Sequence, residues 1–185
     1  MSAIEKKLMT VDEYLIWADS RPGRFELING VLVAMSPEKI IHGETKLRVV
    51  NALAQGINRA DLPYRALPDG MTVRITEHQV YEPDALVYCG ERLPGDDMIV
   101  PNPVIVVEVL FPSTRHVDTG SKFSGYFSVA SIRHYLIIDV DKRILIHHSK
   151  DENGKITSAM LTDGQLQLDP PDMSIKVEAM FAEAE

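Results

Sequence analysis

The segment Val104–Leu110 reads V-I-V-V-E-V-L, the most hydrophobic run in the chain, and it constrains the fold more than any other feature. A run this short and this rich in β-branched residues is a strand buried on both faces, which places it in the middle of a sheet covered on both sides. Alternation puts Glu108 on one face with Val104, Val106 and Leu110, and leaves Ile105, Val107 and Val109 on the other. An ionised carboxylate in such a strand costs several kcal/mol or more unless a cation or hydrogen-bond donors meet it. An inward glutamate paired with an arginine, a glutamate at an exposed strand end, and a functional carboxylate all satisfy that requirement.

The rest of the chain supplies layers for such a sheet. Thr10-Val-Asp-Glu13 is a capping box, which predicts a helix over about 11–18. Asn29-Gly30 between Phe25-Glu-Leu-Ile and Val31-Leu-Val-Ala-Met is a strong hairpin signal. A helix is expected from about Lys39 to Asn58, with Leu47, Val50, Leu53, Ala54 and Ile57 as its apolar stripe. Strands are expected near Tyr64–Ala66, Met71–Ile75 and Asp84–Tyr88, and a Gly/Pro/Asp-rich loop over 89–103. After Pro112 a helix over about 119–130 carries Phe123, Phe127 and Ala130. A strand at His134–Asp139 follows, then a β meander with turns at Asn153-Gly154 and Asp163-Gly164. The expectation is one mixed-sheet α/β (α+β) domain over 1–185, its core at about 10–140 and the meander at about 141–185.

Composition excludes several classes. At 185 residues, 45% hydrophobic and 25% charged, the chain is ordinary globular protein. It has no apolar stretch near the roughly 18 residues of a membrane span. Basic residues near the N-terminus are followed by no apolar segment, so a soluble, cytoplasmic protein is expected. A single cysteine, Cys89, excludes an intrachain disulfide and a cysteine-built zinc site, and it is expected to be a small buried residue, as Trp17 and the methionines are expected in the core. The net charge of −8 argues against nucleic acid as a partner. However, residues 151–185 hold eight acids against Lys155 and Lys176, leaving the first 150 residues at only −2.

Glu82-Pro83-Asp84 opens the strand before the central one, and two carboxylates at the ends of neighbouring strands suit a hard, oxygen-seeking cation such as Mg²⁺. Pro-Asp alone also describes any turn entering a strand. His147 and His148 are adjacent on a strand and point to opposite faces, which argues against a two-histidine metal clamp.

In order, the chain carries Phe25-Glu-Leu-Ile-Asn-Gly30, Ser36-Pro37, His42, Pro83-Asp84, Glu108-Val-Leu-Phe-Pro-Ser-Thr114, Asp118, Lys122 and Tyr126. This set resembles the Uma-type family of bacterial restriction-endonuclease-like proteins, over nearly the whole chain from Thr10. The resemblance implies the PD-(D/E)XK nuclease fold with flanking helices and added hairpins. It also implies a metal-dependent endonuclease acting on DNA and leaving 5′-phosphates, with Mg²⁺ or Mn²⁺ as cofactor and a homodimer to cut both strands. By the same resemblance Asp84 and Glu108 are metal-binding acids and the Val109 carbonyl a further ligand. The wider superfamily has a lysine two residues after the glutamate. Here Leu110 stands there, and Lys122 on the next helix replaces it, with Tyr126 one turn on. Glu26 is either an exposed hairpin residue, paired across from Val33, or an acid of the site. His42 is a helix-start residue that its family position draws into the site, and Asp118 is the expected N-cap. Phe111 in place of serine makes the mouth of the site more apolar, and His134-Tyr-Leu136 stands where the family has E-Y-W. A non-catalytic dimeric module with this fold, and a metal hydrolase with a substrate other than nucleic acid, are the alternatives. Metal stabilisation dependent on Glu108 separates the first, and absence of phosphodiester cleavage the second.

Overall fold

The computed structural model describes residues 8–110 and 119–181. Phe111, the Pro112-Ser-Thr114 break and the expected N-cap Asp118 lie outside the described residues. Helix α1 (Val11–Asp19) begins at the capping box, with Thr10 Oγ1 accepting from the Glu13 amide at 3.2 Å and the Glu13 carboxylate accepting from the Thr10 amide at 2.9 Å. Strands β1 (Phe25–Ile28) and β2 (Val31–Ala34) form the expected hairpin, closed by Asn29 and Gly30 at φ of 50° and 74°. Two consecutive positive φ values define the turn whose twist matches paired strands.

Helix α2 (Ile40–Arg59) leads to β3 (Tyr64–Pro68), β4 (Val73–Thr76), β5 (Gln79–Tyr81) and β6 (Ala85–Cys89). The central strand β7 (Pro103–Leu110), helix α3 (Thr119–Ser128) and β8 (His134–Asp139) follow. The chain closes with β9 (Ile144–Lys150), β10 (Ile156–Leu161), β11 (Gln165–Leu168), β12 (Met173–Lys176) and a 3₁₀ turn at Val177–Met180. Among the described residues the strands form three sheets, ordered β10-β9-β8-β7-β6-β3, β2-β1-β5-β4 and β11-β12. In the large sheet β7 and β8 run parallel and the other pairs antiparallel, which makes it the expected mixed sheet. No helix of the described residues is long and apolar enough to cross a membrane.

Strand β7 is buried along both faces up to Val109. Ile105, Val107 and Val109 meet Val49, Ala52, Leu53 and Ile57 of α2 in one apolar cluster, while Val106 joins Tyr126 of α3, Tyr135 and Ile137 in another. Val104 departs from strict alternation and packs with Ile105. The β6–β7 register shifts there, from Val87↔Ile105 to Tyr88↔Pro103, so one extra residue on β7 turns its side chain over.

Several expectations are corrected. The buried face of α2 is His42, Thr45, Lys46, Val49, Ala52, Leu53, Gly56 and Ile57, and Leu47 is exposed. The true i, i+3, i+4 stripe is polar in its first half because that half faces charged groups rather than core. Cys89 is exposed at the outer end of β6, where the strand leaves the core. Trp17 is half-buried against Tyr14 and Phe25, and Met160 is exposed on the outer strand β10. Strands β5 and β11, of three and four residues, are too short to stand out in the sequence.

Helix α3 approaches the small sheet closely. A Cβ built on Gly125 would lie 2.7 Å from Cε2 and 2.9 Å from Oη of Tyr81, whose ring is fully buried. Gly125→Ala improves helix propensity by about 1 kcal/mol, yet overpacking here costs about 1–3 kcal/mol. The expected result in urea denaturation is a lower midpoint than wild type; a higher midpoint would show that α3 does not lie this close to β5.

Candidate active site

The candidate site lies where the small sheet hands the chain to the large one. Strand β5 ends at Tyr81, and Glu82-Pro83-Asp84 runs directly into β6, so a tripeptide carries the chain from the four-stranded sheet to the six-stranded one. Glu26 on β1 accepts the Glu82 amide at 2.9 Å, which ties the hairpin to that link. Asp84 sits just ahead of β6 beside the end of β7. Its amide donates to the Val107 carbonyl at 2.9 Å, and its Oδ2 accepts the Val109 amide at 2.7 Å. The aspartate thus continues the β6–β7 ladder with its side chain.

Glu108 is buried in β7 opposite Ile137 of β8. Its Oε1 accepts two donors from α3, Lys122 Nζ at 3.0 Å and Tyr126 Oη at 2.6 Å. The i, i+4 spacing of those donors places both on one helix face. Oε2 has no donor among the described residues. Lys122 Nζ also lies 3.0 Å from Glu26 Oε1, so one ammonium serves two buried carboxylates. Burial pushes the Glu108 carboxyl up to about 7 against the pull of Lys122, and the charges of Asp84 and Glu26 push it the same way. Burial alone would lower Lys122, but Glu108 and Glu26 outweigh it and hold the ammonium well above the ordinary lysine range. Burial, followed by the charges of Glu108 and Glu26, likewise raises the Tyr126 phenol, which remains a donor.

A second charged group faces Asp84 from the α2 side. Lys46 Nζ lies 2.6 Å from Asp84 Oδ1 and 3.1 Å from Asp69 Oδ2, and it also contacts Glu38. Burial works to lower its ammonium and these three carboxylates raise it on balance. Arg24 reaches Glu82 at 2.6 Å and Asp69 at 2.8 Å. One turn before Lys46, His42 is buried and its Nε2–H donates to the Val109 carbonyl at 2.5 Å.

Of the five sequence candidates, Glu26, Glu108 and Lys122 meet on the α3 side of β7, while Asp84 and His42 join them through the backbone of Val109, His42 from the α2 side. Sequence reasoning missed Arg24, Glu38, Lys46, Asp69 and Glu82. The available signal was Lys46 standing four residues after His42 on what the Val49–Ile57 periodicity makes the buried face of α2. The histidines of the meander take no part. His147 pairs with His134 of β8 through their ring nitrogens, with 2.9 Å between His147 Nε2 and His134 Nδ1, while His148 faces Phe123 and Tyr135.

Chemically, six carboxylates (Glu26, Glu38, Asp69, Glu82, Asp84, Glu108) surround three cations (Arg24, Lys46, Lys122) among the described residues. This leaves an excess of negative charge in a largely buried setting. The donors are all hard oxygens, and carboxylate oxygens carry two lone pairs each, so Asp84 keeps capacity beyond the bonds it makes. The set fits a divalent cation of the Mg²⁺ or Mn²⁺ kind.

Lys122→Met leaves Glu26 and Glu108 buried without their shared cation. Glu108 is already raised above its unfolded value, so its contribution to stability is present at acid pH and lost as pH rises through about 7. The variant steepens that loss. Urea denaturation should show a deficit of about 3–5 kcal/mol against wild type at pH 8 and a smaller one at pH 5; equal deficits would contradict a carboxylate origin.

A model of the Uma2 family, described as a putative restriction endonuclease, matches residues 11–178. An uncharacterized protein, slr1290, of Synechocystis sp. is 24% identical over 175 residues, covering 94% of this chain and 91% of its own. A crystal structure described as a putative nuclease of the DUF820 group from Anabaena variabilis superposes with a TM-score of 0.71 at 15% identity, covering 94% of this chain and 97% of that one. The fold is shared with that structure and is consistent with the restriction-endonuclease-like class. With the family model spanning all of the residues that converge on the site, the chain belongs to the Uma2 family.

Proposed function

We propose that the chain is a divalent-metal-dependent endonuclease hydrolysing phosphodiester bonds, with DNA as substrate. The observation that carries this reading is the buried Glu108, held on Oε1 by Lys122 and Tyr126, beside Asp84 at the junction of two sheets. A purely structural strand gains nothing from an acid there. Asp84 and Glu108, with the Val109 carbonyl, would hold Mg²⁺ or Mn²⁺, which when bound supplies Lewis acidity at the phosphate and a water of lowered pKa.

The chain's own residues have distinct work. Tyr126 fixes the Glu108 rotamer through its 2.6 Å bond, leaving Oε2 for a ligand. Lys122 brings a permanently charged ammonium, kept so by Glu108 and Glu26, to offset negative charge developing on phosphorus. Glu26 sets the position of that ammonium. His42 holds the Val109 carbonyl from the far side of the sheet. The chain is read as one domain over 1–185, acting in the cytoplasm as a homodimer so that both strands can be cut.

One observation favours a second reading, a non-catalytic module with this fold: both Asp84 oxygens are already engaged, by Lys46 and by the Val109 amide.

A cleavage assay on supercoiled and linear DNA with Mg²⁺ or Mn²⁺ separates the two. The expected outcome is nicking by wild type that EDTA abolishes, that Glu108→Ala loses, and that Lys122→Ala lowers by 10²-fold or more. Loss in Glu108→Ala alone would remove Lys122 from the reaction. No cleavage with Glu108-dependent metal stabilisation would point to another substrate, and neither effect would leave the scaffold reading.

A further inference from the structure

On the α2 side of the sheet junction a group of three carboxylates faces a lysine. Glu38, Asp69 and Asp84 each offer a carboxylate oxygen, and the three oxygens lie within 4.8 Å of one another. Three carboxylate oxygens this close form a group that could hold one hard cation. Lys46 Nζ contacts all three, donating hydrogen bonds to Glu38 and Asp69 and forming an ion pair with Asp84 at 2.6 Å, and the Lys46 side chain is only 7% exposed. On the other side of Asp84, Glu108 keeps one oxygen without a donor among the described residues. The two halves thus differ in one respect: at Glu108 the lysine leaves a carboxylate oxygen open, whereas at the triad it closes the cage.

We propose that the Lys46 ammonium takes the place of a second metal ion, so that a carboxylate arrangement able to hold two divalent cations holds one. Lys46 is a positioning residue in this account. It keeps Asp84 oriented toward β7, and it excludes a second divalent ion by occupying the cage with a like charge. The count of one ion rests on the proposed metal-binding role of Asp84 and Glu108; the role of Lys46 does not.

The test is metal stoichiometry, read with Mn²⁺ by electron paramagnetic resonance and calorimetry on the full chain. Lys46→Met is expected to bind one Mn²⁺ more per chain than wild type, and Lys46→Met with Glu38→Gln to lose that extra ion. An unchanged count in Lys46→Met, or an extra ion that survives Glu38→Gln, overturns the proposal. If wild type binds none while Lys46→Met binds one, the role of Lys46 stands, and the count of one ion in wild type falls together with the metal reading of Glu108. Should Lys46→Met not fold, wild type alone decides. The Lys46 ammonium resonance, followed by ¹H–¹⁵N NMR, is expected to stay in place as Mg²⁺ saturates; its shift to the position of solvent-exposed lysines would mean that metal displaces it, and the proposal is wrong.

Discussion

The architecture turns on one contact, the hydrogen-bonded ion pair between Glu108 in the central strand and Lys122 on α3. An unpartnered carboxylate at that depth would cost several kcal/mol. Strand β7 therefore requires α3 to cover it with donors, and Lys122 with Tyr126 meets that need from a single helix face. The same requirement draws in the hairpin, because Lys122 must also neutralise Glu26. Sheet, helix and hairpin thus converge on one ammonium. Breaking a pair of this kind costs about 3–5 kcal/mol, which makes it an expensive way to hold a fold together and a reasonable one to poise a carboxylate.

The poise is visible in the pair's asymmetry. Both donors fall on Oε1, and the carboxyl is raised to about 7 by burial, with Lys122 opposing the shift only in part. A group so placed gains more from a cation than a solvated glutamate does, since a cation removes the cost that burial imposes. Asp84 is arranged otherwise, with a backbone amide on one oxygen and Lys46 on the other. The two sides of the sheet each offer a lysine to an acid, and they leave different amounts of room.

Much of this was legible in the sequence, for identifiable reasons. A glutamate in V-I-V-V-E-V-L breaks an otherwise apolar run, so Glu108 stood out as a residue needing a partner, an exposed strand end or a function, and Asn29-Gly30 defined its hairpin by backbone requirement alone. Lys122 and Tyr126 were visible as an i, i+4 pair once the family order was seen. Lys46, Glu38 and Asp69 were not, because lysines and acids outside an apolar run read as solvated surface. Only the helical phase of α2 reveals that Lys46 points inward, and the stripe assigned to that helix was out of phase at its start, where Leu47 is exposed and Thr45 and Lys46 are buried. The exposure of Cys89 was hidden for a related reason: strand length alone does not say where a strand leaves its core.

In the proposed function the Glu108–Asp84 side of the sheet junction holds a divalent cation. The most direct measurement is an anomalous difference map from crystals grown with Mn²⁺. The account predicts a peak in contact with the carboxylates of both Glu108 and Asp84, with Lys46 still on Glu38 and Asp69. A map without such a peak at saturating Mn²⁺, or with its only peak remote from Glu108, would contradict it.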